Sequence, residues 1–364
     1  MAEEKEKPLT REDVLRLIEG NGGTAEGLDL SEQTFVEAID LSDLDLHGII
    51  LKDARFPTHF EGGQLVGAKF DGSNLNGADL RSINLQYAQF RMLNNQPTYL
   101  QAADLRGSLL LNTNFQGADL TGAKFGDLAK AGGYPAAMLD DTDLRGAKLF
   151  RANFKGCYFY GTKLEGAFIR GADIFDAHLE EADWGSYKIG EEKGGDFYSA
   201  IHYYRRLKTW YTNAGMYDIA AEFYYREMEA KRKFAQGEIH EQFKKSKGWK
   251  LLHFLFKEKD FGDWVRLWIY RLTCGYGERP WQVFLIAAII IFGLDGLYTA
   301  FGSFSSRTFP NCLYYSAVSF TALGYGRWAP QPSGWAQGMG AAEAFVGVSM
   351  MALFLVTFTR KMTR

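Results

Sequence analysis

Leu or Phe recurs at every fifth residue through the first half of this chain, and this period limits the possible folds more than any other feature. The series runs in three registers, 46–56, 65–125 with a lapse at Asn95, and 139–184. A small residue, mostly Ala, stands two positions before most of the large ones. A period of five fits neither an α-helix nor a simple alternating strand. In an extended segment residues i and i−2 face the same side, so each unit points one large and one small side chain inward.

Units this short cannot bury their apolar faces alone, so we expect them to coil and stack into a solenoid. The segments GADLRSINLQYAQF and LRGAKLFRANFKG resemble the pentapeptide-repeat family. That resemblance implies a right-handed quadrilateral β-helix with about four pentapeptides per coil over residues 40–190. Some members of that family mimic DNA and bind a topoisomerase, which requires a strongly acidic surface. Residues 40–190 are only slightly acidic, which favours a rigid spacer or docking surface instead.

The residues before the solenoid predict a short helix. Thr10 is a favourable N-cap, and Glu12 and Asp13 place acidic side chains in the first turn. The helix is predicted to stop at the glycines that begin with Gly20. We interpret residues 1–39 as an N-terminal helical cap that covers the open end of the solenoid.

The composition argues against several classes of function. The 41 Lys and Arg residues nearly balance the 44 Asp and Glu residues, so a nucleic-acid binder driven by positive charge is not expected. Cys157, Cys274 and Cys312 lie far apart, and the six histidines are equally scattered, without the spacing of a disulfide framework or a metal site. No nucleophile, base and acid form a known catalytic motif. We therefore expect no enzyme activity, no metal site and no cofactor.

Residues 191–260 predict a cytosolic helical connector. Two helices joined at Gly215 resemble a single tetratricopeptide unit, and we interpret their aromatic residues as the core of the hairpin rather than as a ligand groove. Lysines then cluster in 244–250, as expected beside a membrane on its cytoplasmic side. Residues 261–279 follow as an amphipathic interfacial helix and turn. The amphipathic stretch, 261–272, is too short to cross a bilayer.

The C-terminal segment 280–364 contains two runs long enough to span a membrane, 281–301 and 338–359. The segment 311–326 between them consists of a short apolar stretch followed by Gly324-Tyr325-Gly326. Non-helical backbone at membrane depth is tolerated only where protein or a water-filled cavity satisfies it. A short re-entrant helix leading into a glycine-containing strand is how a carbonyl-lined selectivity filter is built. The pattern predicts an all-α transmembrane pore domain with a re-entrant pore helix and a filter.

Residues 280–364 resemble the two-helix potassium-channel pore family. The resemblance implies a homotetramer in which backbone carbonyls from four subunits coordinate a potassium-like monovalent cation. It assigns the ion-binding filter to Thr321, Ala322, Leu323, Gly324, Tyr325 and Gly326.

Two residues depart from the family pattern, which usually has Thr in place of Ala322 and Asp in place of Arg327. A ring of Arg327 side chains at the outer mouth would repel cations unless it is neutralised. Carboxylates within a membrane are costly and usually paired, so we predict an ion pair between Arg327 and either Asp295 or Glu343. The alternative is that both acids lie in the headgroup region. Gly347 resembles the family's gating hinge, and helix packing is an equal alternative for this residue.

A second segment, Thr273-Cys274-Gly275-Tyr276-Gly277, matches the letters of the filter consensus more closely. No spanning segment precedes it and arginines flank it, so we interpret it as the turn that starts the first span, with Pro280 at the helix start.

The basic residues predict the orientation in the membrane. They precede the first span and follow the second, whereas the loop between the spans contains only Arg307 and Arg327. The positive-inside rule then places both termini and the solenoid in the cytoplasm, in a multi-pass protein of the cell (inner) membrane that contacts lipids. The sequence therefore predicts a cation-selective, potassium-channel-like channel with a cytosolic pentapeptide-repeat domain. The alternative is a membrane-anchored interaction scaffold whose pore does not conduct.

Overall fold

The computed structural model describes residues 7–37, 39–56, 63–126, 135–245, 259–324, 326 and 330–362. The chain divides into two compact units, Met1–Ala230 and Lys231–Arg364. The division falls within one helix, α4 (Tyr217–Lys245).

Parallel bridges between successive coils build the first unit. Four bridges at five-residue intervals, which start at Gln64↔Asn84, occur before the coil repeats. The bridging residue lies between the small and the large residue of each unit. Ala68 and Phe70, on either side of Lys69, are fully buried. The inward orientation predicted from the five-residue period is therefore observed.

Stacked aromatic rings line the interior of this β-helix. Phe90 stacks on Phe70 and Phe115, with ring centroids 5.0 and 4.8 Å apart, and Phe125 stacks on Phe154 at 4.3 Å. These rings come from equivalent positions in neighbouring coils, so the five-residue period turns into continuous apolar columns.

Two of the three irregularities in the repeat lie fully enough within the described residues to show that a coil is longer there. Asn74 bridges to Tyr99 across the lapse, where Leu93↔Gln96 forms an antiparallel bridge outside the regular ladder. Leu109 bridges to Met138 across the second break. After each of these longer coils, the five-residue spacing of buried residues resumes.

The coil begins earlier than residue 40. Leu9 bridges to Phe35 and Asp29 to Ile50, so part of the predicted 1–39 cap already belongs to the β-helix. The five-residue spacing of Leu30 and Phe35 breaks by one residue before the next buried leucine, which obscured it in the sequence. Helix α1 (Arg11–Gly20) begins with the predicted cap, in which Thr10 and Asp13 bond reciprocally.

Three helices follow the last coil: α2 (Gly190–Lys193), α3 (Phe197–Asn213) and α4. The Tyr211 hydroxyl in α3 donates to the Leu179 carbonyl at 2.8 Å and accepts from Trp184 Nε1 at 2.7 Å. Phe223 in α4 stacks on Tyr211 and meets Trp184 edge-on. The aromatic residues interpreted as hairpin core therefore also close the end of the β-helix.

The second unit is helical. It consists of α5 (Lys259–Cys274), a 3₁₀ turn (Gly275–Gly277), α6 (Trp281–Phe301), β1 (Ser303–Phe304), α7 (Phe309–Thr321), β2 (Pro332–Ser333) and α8 (Trp335–Met362). The antiparallel pair β1–β2 joins the end of α6 to the start of α8. Both α6 and α8 are long and apolar enough to cross a membrane. With 13 residues, α7 has a length of only about 20 Å, too short to span.

Candidate ion-conduction site

Helix α7 ends where the predicted filter begins. Thr321 is its last residue, and its hydroxyl donates to the Ala317 carbonyl at 2.7 Å. Ala322 caps the helix in the left-handed region, with φ 54° and ψ 27°. Gly324 has φ 89° and Gly326 φ 56°, conformations that side chains other than glycine rarely adopt.

The described residues that directly follow α7 are exposed. Leu323 is 81 % exposed although its side chain is large and apolar, and Ala322, Gly324 and Gly326 are exposed as well. Tyr325 and Arg327 lie outside the described residues. Helix α7 is otherwise well packed, whereas the residues that follow it have no cover from the described part of this domain.

Two glycines of α8 allow α7 to approach closely. A Cβ on Gly340 would overlap the Tyr315 hydroxyl, and a Cβ on Gly347 would overlap the Phe320 carbonyl oxygen. The Tyr315 hydroxyl also donates to the Ala336 carbonyl at 3.2 Å. Gly347 thus packs against the last turn of α7, and its role as a gating hinge stays a prediction.

Glu343 lies between these two glycines and is 2 % exposed. Its Oε2 accepts a hydrogen bond from Tyr298 of α6 at 3.1 Å, and its Oε1 accepts one from Ser316 of α7. One carboxylate therefore connects all three helices. Tyr298 and Ser316 were not among the predicted site residues. The spacing of Gly340, Glu343 and Gly347 places these three on one face of α8, but it does not point to partners on other helices.

Asp295 of α6 is also fully buried. Its Oδ1 accepts a hydrogen bond from Thr299 at 3.3 Å, whereas Oδ2 has no hydrogen-bond partner among the described residues. The two carboxylates predicted at the outer mouth thus differ in their hydrogen bonds. Each oxygen of Glu343 has a hydroxyl donor, whereas only one oxygen of Asp295 has a donor among the described residues. Their predicted ion pair with Arg327 involves a residue outside the described ranges and stays a prediction.

The second filter-like segment forms a buried turn between α5 and α6. Cys274, Gly275, Tyr276 and Gly277 are buried, and Tyr276 itself has φ 58°. Glu278, directly after the turn, forms an ion pair with Arg360 at 3.3 Å. This agrees with its interpretation as the turn before the first span. Across the described ranges, no group of three or more His, Cys, Asp and Glu could hold a metal ion.

Comparisons with protein families match both units. Residues 281–364 match the family described as "Ion channel". Eight copies of the family described as "Pentapeptide repeats" match within 64–94, 98–127 and 137–180. The chain joins pentapeptide repeats to an ion-channel domain. The comparison with curated proteins finds no significant match.

The similar solved structures are pentapeptide repeat proteins. HetL, involved in heterocyst differentiation regulation in the cyanobacterium Nostoc, is 26 % identical over 48 % of this chain and 96 % of its own, with a TM-score of 0.17. QnrB1, a plasmid-mediated fluoroquinolone resistance protein, is 18 % identical over 44 % of this chain and 70 % of its own, with a TM-score of 0.29. A protein of the Arabidopsis thaliana thylakoid lumen is 34 % identical over 30 % of this chain and 69 % of its own, with a TM-score of 0.16.

Proposed function

We propose that the ion-channel domain conducts potassium-like monovalent cations through a filter made of backbone carbonyls from four subunits. The carbonyls of Ala322, Leu323, Gly324 and Tyr325 replace the water shell of the ion. The observation that carries this proposal is the arrangement of α7, a helix too short to span that lies between two membrane-length helices and ends in positive-φ residues. The carbonyl end of α7 carries partial negative charge, which favours a cation beyond it.

The proposal includes the finer features of the architecture. Helix α7 is the re-entrant pore helix, and the β-helix is right-handed, as the family resemblance implies. The four bridges per coil support its quadrilateral shape. The distribution of basic residues supports an inner-membrane protein with both termini in the cytoplasm.

The proposal also includes the ion pair at the outer mouth. Arg327 pairs with Asp295 rather than Glu343, because Glu343 already accepts two hydroxyl hydrogen bonds while one Asp295 oxygen has no partner among the described residues. We expect Asp295→Asn to lower the cation current and the double variant Asp295→Arg/Arg327→Asp to recover part of it, measured in planar bilayers. A normal current in Asp295→Asn would contradict the pair.

The test of conduction uses the purified full-length protein in liposomes with a potassium gradient. Rubidium uptake is expected in the unmodified protein and absent in Gly324→Ala, because a side chain is strained at φ 89° even though a Cβ there meets no neighbour. Gly338→Ala is the matched control, since a Cβ at that glycine of α8 also meets nothing within 4 Å.

The outcome of this test also decides the alternative function. Ala322 lacks the hydroxyl that the family usually provides for the innermost ion site, which favours a membrane-anchored interaction scaffold with a non-conducting pore. Absence of rubidium uptake in the unmodified protein under every stimulus applied would support that scaffold.

A further inference from the structure

Glu343, Ser316 and Tyr298 meet at one point in the pore domain, where the Glu343 side chain of α8 is hydrogen-bonded to both α7 and α6. Glu343 is 2 % exposed, and Ser316 and Tyr298 are fully buried. The carboxylate on α8 accepts hydrogen bonds from Ser316 on α7 and from Tyr298 on α6. A buried carboxylate is strongly unfavourable unless it is hydrogen-bonded in this way, so the three residues depend on one another.

Ser316 has a second acceptor. Its Oγ lies 3.0 Å from the Ile291 carbonyl oxygen of α6 as well as against Glu343. A hydroxyl has one proton, so it serves one of these acceptors at a time. The side chain of Ser316 is therefore held between a carbonyl of α6 and the carboxylate of α8.

Apolar packing alone does not fix how far α7 lies along α8. The contact face of α8 has glycines at positions 340 and 347, which allow close approach but impose little direction, and apolar burial is itself non-directional. A hydrogen bond has a narrow range of length and angle, so the contact between Ser316 and Glu343 restricts the axial position, together with the bond from the Tyr315 hydroxyl to the Ala336 carbonyl near the start of α8. Ser316 lies five residues before the end of α7, about 7 Å along the helix axis. A shift at Ser316 thus moves the start of the filter by a similar amount.

We propose that Glu343 is a positioning residue that acts through Ser316 and Tyr298 to fix the register of α7, and thereby sets the ion selectivity of the filter. This inference rests on the proposed function, because it concerns which ions the proposed filter conducts. It assigns to Glu343 a role in holding the pore helix rather than in neutralising the mouth.

The test compares selectivity in full-length variants. The rubidium-to-sodium permeability ratio, measured from reversal potentials in planar bilayers, is expected to fall about fivefold in Ser316→Ala, which corresponds to one hydrogen bond. The ratio is expected to fall further in Glu343→Leu. Glu343→Gln keeps the shape and one acceptor oxygen, so its ratio is expected to lie between those of Glu343→Leu and the unmodified protein. Ser349→Ala is the matched control, because this exposed hydroxyl of α8 donates only within its own helix, to Phe345.

Coupling distinguishes positioning from a general loss of stability. Glu343→Gln combined with Ser316→Ala is expected to change the ratio by less than the product of the two single effects, because both variants remove the same contact. Glu343→Gln combined with Ser349→Ala is expected to give the simple product. Unchanged ratios in Ser316→Ala and Glu343→Leu, with only less total current, would overturn the inference and leave conduction intact.

A second measurement does not depend on current. Amide hydrogen exchange in 309–321 is expected to be faster in Ser316→Ala than in Ser349→Ala, because α7 loses its fixed register. Equal exchange in the two variants would overturn the inference even if the unmodified protein conducts no ions. If the unmodified protein gives no current but exchange is faster in Ser316→Ala, the proposed function is contradicted. The role of Ser316 and Glu343 in fixing the register of α7 is then still supported.

Discussion

Gly347 shows how a single residue determines the packing of the pore domain. A Cβ at this position would overlap the carbonyl group of Phe320, at the last turn of α7. We expect Gly347→Ala to force α7 away from α8 and to destabilise the domain by about 1–3 kcal/mol, as overpacking does. The measurement is the thermal stability of the purified full-length protein in detergent, with Gly338→Ala as the control in the same helix.

The same variant separates the two interpretations of Gly347. A hinge glycine would tolerate Ala in the closed protein and change only the opening of the pore. Full thermal stability of Gly347→Ala together with altered flux would therefore support the hinge and contradict the packing role.

The sequence predicted individual residues well where their neighbours follow from a local period. Ala68 and Phe70 are buried because the repeat places both on the inner side of one short extended segment. The short helix α7 was also predictable from its apolar residues, whereas the filter after it stays a prediction. The hydrogen bonds of Glu343 could not be predicted, because Ser316 and Tyr298 lie on other helices and come close only in the folded domain.

Helix α3 covers the last coil of the β-helix. Its aromatic face predicted a buried surface, but the sequence did not show that this surface covers the last coil, since Leu179 lies 32 residues from Tyr211. The start of the coil was likewise placed at residue 40 because the period breaks by one residue after Phe35. Long-range contacts and small shifts in register are invisible to a local pattern.

We expect Tyr211→Phe to destabilise the capped β-helix. The change leaves the buried Trp184 indole N–H without its hydroxyl partner, which costs about 1–3 kcal/mol, while the Leu179 carbonyl keeps its bond from the Ala182 N–H. The melting temperature of residues 1–230, a unit with its own core, should fall by several degrees. Tyr160→Phe, at an exposed position, is the control, and an equal melting temperature in both variants would contradict the capping role.

Pairs of Asp and Arg side chains on the coils, here called Asp–Arg forks, predict that the β-helix loses stability at acidic pH. The Arg145 side chain donates from Nε and Nη2 to the two carboxylate oxygens of Asp143, and Arg106 donates from the same two nitrogens to Asp104. Burial acts to raise the pKa of Asp143, but the hydrogen bonds from the side chain and backbone of Arg145 outweigh it, so the pKa lies below its ordinary value. Burial and Arg106 act on the pKa of Asp104 in the same way, with the same net lowering.

A lowered pKa in the folded state gives stability that is fully present above the unfolded pKa, about 3.9, and is lost as the pH falls through the folded pKa. We expect the free energy of unfolding of residues 1–230, from urea titrations, to drop in this window. The drop should be smaller in Arg106→Gln/Arg145→Gln than in the control Arg151→Gln, an exposed arginine. An identical pH profile in the two variants would exclude the forks as its cause.

In the proposed assembly, conduction depends on how many copies build one filter. Each ring of carbonyls in that filter would take one contribution from every subunit, so a single strained copy is expected to block the pore. When unmodified protein and Gly324→Ala are produced in equal amounts, about one sixteenth of tetramers contain only unmodified copies, against about one quarter of dimers. If the assembly is a tetramer, rubidium flux per purified assembly should fall to about one sixteenth of the flux of the unmodified protein. Mixing with Gly338→Ala should leave the flux unchanged. A flux of one half would mean that each copy conducts alone, and the exposed Leu323 would then need an explanation other than a neighbouring subunit.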